Sequence, residues 1–250
     1  VGDQNNWDAR SLSKDAKKYM HSSFDFSDFQ GVVEEKMNYG MVTGYQLKIA
    51  DLVYDFRVFL ESRNLMITDL FDYEKMAVEK DAVTYKEVQA EHVIFCEGHK
   101  VSSNPFFSDL PFSPAKGELL LVKIPQLNSI KLLKDHIFIA PLKDDIYWVG
   151  ASYGWDHFTD EPTQEKGDWL RKALDKLVKV PYEIVEHQAG VRPATKYRRP
   201  LMGTHQDHKN IHLFNGLGTK GSSLGPYWSK HFMNHLEDSE ALSSDVSINL

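Results

Sequence analysis

The residues best placed to do chemistry form two clusters in the last quarter of the chain. Asn215-Gly216-Leu217-Gly218-Thr219-Lys220-Gly221-Ser222-Ser223-Leu224-Gly225 holds a literal G-x-G-x-x-G between an apolar run, Ile211–Phe214, and a helix placed near Pro226. Glycines let backbone N–H groups approach a ligand closely, and a helix start adds partial positive charge, so the loop suits an anionic group. A dinucleotide fingerprint also needs a strand, helix and second strand, with an acid about 20 positions on. Only 29 residues follow Gly221, and Asp245–Leu250 is their one strand-like piece. Two readings stay open, a ligand-holding loop and a plain glycine turn. The second cluster is Ala189-Gly190-Val191-Arg192-Pro193-Ala194-Thr195. A guanidinium at a strand end between apolar residues suits a carboxylate bidentately, from a ligand or from a structural ion pair. Lys196, Arg198 and Arg199 read as a solvated group.

Other chemistries find less support. His205 and His208 are three apart and His231 and His235 four apart, but neither pair has an H-E-x-x-H glutamate or an evident third ligand, so no metal ligand is assigned. There is no G-x-S-x-G elbow, and the single cysteine, Cys96, reads as core in an apolar strand. No catalytic acid or base is assigned.

Positioning those clusters requires a sheet-rich body. Ile49, Leu52, Val53, Phe56, Phe59 and Leu60 recur at helical spacing and predict a core-facing helix ending near Arg63-Asn64. A shorter helix is expected near Ser13–Met20, within an irregular start. Asp81–Ala90 predicts a half-exposed strand and Glu91–Gly98 a buried one closed by glycine. Ser102–Pro114, with three of the ten prolines, reads as an ordered loop. Glu118–Ile124, His136–Leu142 and Ile146–Ser152 predict strands, the last two forming an antiparallel hairpin across Lys143-Asp144-Asp145. Thr163 caps a second helix with Leu170, Ala173, Leu174, Leu177 and Val178 on its apolar face, and a strand runs from Glu183 toward Val191. The fold class is α+β, a mixed α/β chain with antiparallel-rich sheet.

The net charge of −7 gives no electrostatic footprint for nucleic acid, and no apolar run approaches the ~18 residues of a membrane span. One cysteine is easiest to reconcile with a reducing cytoplasm.

The blocks Val93–Gly98, Pro114–Glu118, His136–Pro141, Trp148–Tyr153, Gly190–Thr195 and Asn215–Pro226, taken in order, resemble the FAD-dependent oxidoreductases of the D-amino-acid oxidase superfamily, glycine oxidase-like. The resemblance implies a mixed-sheet substrate lobe and the remainder of a Rossmann-like FAD lobe, oxidising a C–N bond of a small amine or amino acid with a carboxylate. It implies Arg192 on that carboxylate, Tyr153 and Phe138 on the substrate side, and FAD contacts at Tyr73, Gly98, Gly216, Leu217, Gly218, Thr219, Lys220, Gly221, Ser222 and Ser223. Glycine oxidases carry a tyrosine where Phe138 stands. It further divides the chain into an irregular segment 1–44, a linking region 45–98, a mainly substrate lobe 99–190 and a flavin-facing part 191–250. The family's opening strand, glycine motif and helix are not found ahead of Val1, so the chain reads as the C-terminal portion of a longer parent, with FAD binding expected to be weak or absent. Alternatives are the FAD lobe of a tRNA wobble-uridine modifying oxidoreductase, from the likeness of Gly216–Gly221, and an inactive folding or binding module.

Overall fold

The computed structural model describes residues 4–22, 25–36 and 40–248. In chain order they form α1 (Gln4–Ser11), β1 (Met20–His21), β2 (Met41–Val42), α2 (Ile49–Ser62), β3 (Met76–Val78), β4 (Val83–Tyr85), β5 (Val88–Ala90) and β6 (Val93–Phe95). There follow β7 (Ala115–Lys123), β8 (Leu133–Lys134), β9 (Phe138–Pro141), β10 (Ile146–Gly150), α3 (Gln164–Leu177), β11 (Glu183–Arg192), β12 (Leu201–Thr204), β13 (Ile211–Asn215) and α4 (Gly221–Asp238). The chain is mixed α/β with several antiparallel sheets, and divides into two compact units, Val1–Gln46 with Lys116–Val191 and Leu47–Ala115 with Arg192–Leu250.

The first unit is built on the sheet β11-β7-β10-β9-β8. The β9–β10 hairpin turns through Asp144 and Asp145, both left-handed (φ 57° and 60°), a backbone that matches strand twist and that aspartate tolerates. On β7, alternation puts Lys116, Glu118, Leu120 and Val122 on one face. Leu120 and Val122 join Ile139, Val149, Leu170, Leu174 and Leu177 in the core, so α3 covers this sheet. Burying each such aliphatic side chain contributes roughly 1.5–3 kcal/mol. Thr163 caps α3 as expected, its side chain accepting from the Lys166 N–H.

The second unit holds the antiparallel meander β3-β4-β5 and a mixed sheet, β12-β13-β6, in which β13 runs antiparallel to β12 and parallel to β6. Its core gathers Phe95, Val101, Phe107, Leu201, Ile211 and Leu213, and α4 adds Phe232 against Met202 and Val246. His212 on β13 is buried between His92 (Nδ1 to Nε2, 2.9 Å) and Thr204 (Oγ1 to Nδ1, 2.9 Å). Burial, then the neighbouring His92 and His235, push its titration down to about 4. The unfolded chain therefore binds this proton more readily than the folded one. His212 contributes stability above about pH 6.5 that is lost as pH falls through 4, up to roughly 3 kcal/mol. Urea midpoints measured from pH 7.5 to 4.5 should fall across that window, and His212→Asn should flatten the slope there.

Five local expectations change. The early helix lies at Gln4–Ser11 rather than Ser13–Met20, where only the 3-10 turn Ala16–Lys18 forms. Ser13 Oγ accepts the Ala16 N–H at 3.2 Å, and no apolar stripe follows to extend the single turn. Asp81–Ala90 is not one strand but the hairpin β4–β5, because Lys86 takes a left-handed turn conformation (φ 53°). The last helix starts at Gly221, five residues before Pro226, which sits inside its second turn. Asp245–Leu250 forms no strand among the described residues. It makes a single parallel bridge, Ser247 to Met202, and its last two residues lie outside them.

The fifth change concerns α2, which forms where its period placed it but buries no residue. Leu52, Val53 and Phe56 are all more than half exposed. Apolar period sets helical form; it does not supply the surface that covers the stripe. Phe56→Ser should therefore move the unfolding free energy by less than about 0.5 kcal/mol, whereas Leu174→Ser, in the packed core, should lower it by more than about 3 kcal/mol. Chemical denaturation of both variants checks the contrast.

Candidate functional site

In the second unit the two parallel strands β6 and β13 end side by side, and each runs into a left-handed glycine, Gly98 (φ 62°) and Gly216 (φ 80°). The carboxyl ends of parallel strands are where open α/β sheets hold ligands. Asn215 ties the two ends together: its Nδ2 donates to the Gly98 carbonyl at 2.9 Å, and its Oδ1 accepts the Gly216 N–H at 2.8 Å. The 3-10 turn Gly218–Lys220 then leads directly into α4, whose first residues include Ser222 and Ser223. The first turn of α4 carries no acidic residue, so its partial positive charge is not offset locally.

Gly216 is required by space as well as by φ. A Cβ there would stand 2.6 Å from Thr195 Cγ2 and 3.3 Å from the Leu201 nitrogen. Thr195 is itself fixed, donating to the Arg199 carbonyl at 2.6 Å and accepting the Arg199 N–H at 3.1 Å. Gly218, also left-handed, has no atom nearer than 3.8 Å to its would-be Cβ and donates its N–H to the Pro193 carbonyl at 3.2 Å. The segment 193–196 is held on its other side, where the Ser113 N–H bonds the Ala194 carbonyl (2.8 Å) and the Lys196 N–H the Pro111 carbonyl (2.9 Å). Arg192 closes β11 at the head of this segment, so the structure brings Arg192, Gly98 and the 216–223 loop into one neighbourhood.

Tyr73 joins the same neighbourhood through residues that sequence reading did not single out. Its hydroxyl donates to Glu97, and the other Glu97 oxygen accepts from Asn104 Nδ2 at 2.7 Å. Burial, reinforced by the Glu97 carboxylate, holds the Tyr73 phenol protonated well above its ordinary range. Asn104 is fully buried and its Oδ1 accepts the Phe106 N–H at 2.8 Å. The only sequence signal was an acid set between an apolar strand and a glycine, Cys96-Glu97-Gly98. Cys96 itself corrects an expectation: it lies one residue beyond β6 and is exposed rather than core. Partial burial of its thiol, with Glu97 beside it, pushes its titration up, away from a reactive thiolate.

Three of the four paired histidines are engaged in structural bonds, and His208 stacks on His205 with ring centroids 5.0 Å apart. His205 Nδ1 accepts the Asp207 N–H (3.1 Å) and His231 Nε2 the Ser243 N–H (3.1 Å), while His235 Nδ1 lies 2.7 Å from the Glu240 carbonyl. The last two pin the segment that follows α4. Lys196, Arg198 and Arg199 are exposed, with Arg199 paired to Asp245.

The other two expected substrate residues belong to the first unit. Phe138 opens β9, half-buried, with Lys134 Nζ over its ring at 5.1 Å. Tyr153 is half exposed beyond β10, between Ser152 and Gly154, which are both bonded to β7.

The sequence profile of the DAO family, FAD dependent oxidoreductase, matches residues 68–233. The chain belongs to this family. Among curated DAO relatives, the glycine oxidase of Bacillus subtilis (strain 168) is 28% identical over 189 residues, covering 68% of this chain and 49% of that protein. The tRNA 5-methylaminomethyl-2-thiouridine biosynthesis bifunctional protein of Idiomarina loihiensis is 27% identical over 178 residues, covering 63% and 28%. The chain spans about half the length, or less, of these relatives. Solved DAO-type structures share the fold. The glycine oxidase from Bacillus cereus superposes with a TM-score of 0.56 at 21% identity over 67% of this chain and 49% of that one. The fructosamine oxidase from Aspergillus fumigatus gives 0.68 at 13% identity over 100% and 68%. Among the described residues no helix is long and apolar enough to cross a membrane.

Proposed function

We propose that this chain carries the flavin-ring and carboxylate-binding parts of an FAD-dependent oxidoreductase that oxidises the C–N bond of a small amine or amino acid. The observation carrying this is the carboxyl end of the parallel pair β6 and β13, where the left-handed Gly98 and Gly216 are tied together by Asn215 just ahead of the start of α4. That helix start, without an acidic residue in its first turn, suits an anionic group beside it. Residues 216–223 would hold the pyrimidine side of the flavin, with Gly98 and Tyr73 toward the rest of the cofactor. When bound, FAD supplies the hydride acceptor. The chain's own residues do the remaining work. The N-terminus of α4, which has no acidic residue in its first turn, stabilises negative charge beside it, and Arg192 takes the substrate carboxylate and sets its orientation. Tyr153 and Phe138 are proposed to line the substrate; with phenylalanine at 138, the substrate loses one hydroxyl partner that glycine oxidases offer.

The sequence has no other glycine-rich phosphate cradle, so the affinity of these 250 residues for FAD should be weak, Kd on the order of 10 µM or higher. Residues 99–190 are proposed as mainly substrate-side and 191–250 as flavin-side, although 99–115 pack within the same unit as 192–250, and the single cysteine fits a reducing cytoplasm. The test supplies FAD at about 1 mM and measures amine-dependent reduction of an acceptor dye, with glycine among the substrates. Turnover with a small amino acid supports the proposal, and no reduction with any amine or amino acid contradicts it. A second reading, oxidation of a modified tRNA uridine, draws on the Idiomarina relative. A salt-dependent tRNA gel shift would favour it, against the charge of −7.

A further inference from the structure

Within the first unit, the core face of β7 ends in two ionisable residues. Lys116 and Glu118 continue the row of Leu120 and Val122, and both are almost fully buried. An apolar pair would extend that core without the cost of desolvating two charges. What Lys116 and Glu118 do instead is bind the chain between β10 and α3 at both of its ends. At the near end, the Lys116 backbone exchanges two hydrogen bonds with Gly154 (2.9 and 3.0 Å). The Glu118 carbonyl accepts the Ser152 N–H (2.9 Å), and its N–H donates to Ser152 Oγ (3.0 Å). At the far end, Lys116 Nζ donates to the Glu161 carbonyl at 2.5 Å and reaches Thr159 Oγ1 at 3.4 Å. Glu118 accepts the Thr163 N–H (2.8 Å) and hydroxyl (2.9 Å). The two side chains approach each other to 3.8 Å, and His187 Nε2 lies 3.0 Å from Glu118, its ring against Gly167 of α3, where a Cβ would stand 2.8 Å from it.

The segment so tied, residues 153–162, carries three exposed or half-exposed aromatics, Tyr153, Trp155 and Phe158. We propose that Lys116 and Glu118 are a positioning pair. Their main chain holds the near end and their side chains close the far end; together these contacts fix Tyr153 for substrate, and through it they set substrate affinity rather than fold stability alone. The proposal rests on the reading of Tyr153 as a substrate residue.

The experiment uses the 250-residue chain and compares wild type with Glu118→Gln, Lys116→Met, Tyr153→Phe and the double apolar variant Lys116→Met/Glu118→Leu. Three quantities are read: urea midpoint, hydrogen exchange over 152–163, and affinity for glycine in the presence of FAD. The single variants at 116 and 118 should raise strap exchange at least tenfold and weaken glycine binding about tenfold. The double variant should regain the wild-type midpoint while strap exchange stays high and glycine binding stays weak. Stability and affinity recovering together in the double variant would reduce the pair to a structural ion pair, and unchanged strap exchange in the single variants would remove the positioning role. Equal glycine affinity for wild type and Tyr153→Phe would instead remove the substrate reading of Tyr153, a failure that leaves the exchange result standing by itself.

Discussion

Gly216→Val should lower the unfolding free energy by about 2–5 kcal/mol and abolish flavin binding, while Gly218→Ala should cost only about 1–2 kcal/mol. Both glycines are left-handed, and a non-glycine residue there costs roughly 1–2 kcal/mol in backbone strain alone. The difference lies in space. At 216 the new Cβ meets Thr195 and a backbone nitrogen held by β12, and moving either disturbs the pairing of β12 with β13, adding about 1–3 kcal/mol for overpacking. At 218 nothing lies within 3.8 Å. Urea denaturation gives the two costs. A Gly216→Val variant as stable as wild type would show that the corner tolerates a side chain.

Arg192→Ala should raise KM for a carboxylate-bearing substrate on the order of 100-fold while flavin content stays near wild type. Two charge-assisted hydrogen bonds from one guanidinium fork lose about 2.7 kcal/mol of substrate binding at that ratio. Arg192→Lys keeps the charge but not the fork, so about a tenfold rise is expected. An amine without a carboxylate, such as methylamine, serves as the control: its kcat/KM, however low, should not change with either variant. Equal kinetics for wild type and Arg192→Ala with glycine would remove Arg192 from substrate binding.

How far the sequence disclosed this arrangement depended on whether the determinant was local. The β9–β10 hairpin, the Thr163 cap and the α3 stripe rest on residues a few positions apart, and all three formed as their spacing required. The Gly216 loop was legible as a candidate but not as a choice between ligand site and turn. Its neighbour Thr195 is 21 positions away, so only packing shows that the corner needs glycine, and that requirement holds for either reading. Glu97, Asn104 and Asn215 received no role for the same reason, since the Tyr73–Glu97 and Asn215–Gly98 bonds join residues distant in sequence and the Asn104–Glu97 bond carries no periodic mark. The α2 stripe failed in the opposite sense: a strong local signal fixed the helix and said nothing about what covers it. Lys116 and Glu118 sat inside a block that resembled the family, yet two charges in an alternating strand look like a solvated face until the strap's carbonyls and N–H groups are in view.

The central claim is that the backbone at 215–223 receives the ring system of a flavin, and amide hydrogen exchange under millimolar ligand tests it most directly. With FMN or FAD present, peptides covering 215–223 should be protected several-fold, Gly216→Val should abolish the protection, and ADP, which lacks the ring, should give none there. Equal protection by ADP, or none by any flavin at millimolar concentration, would contradict it.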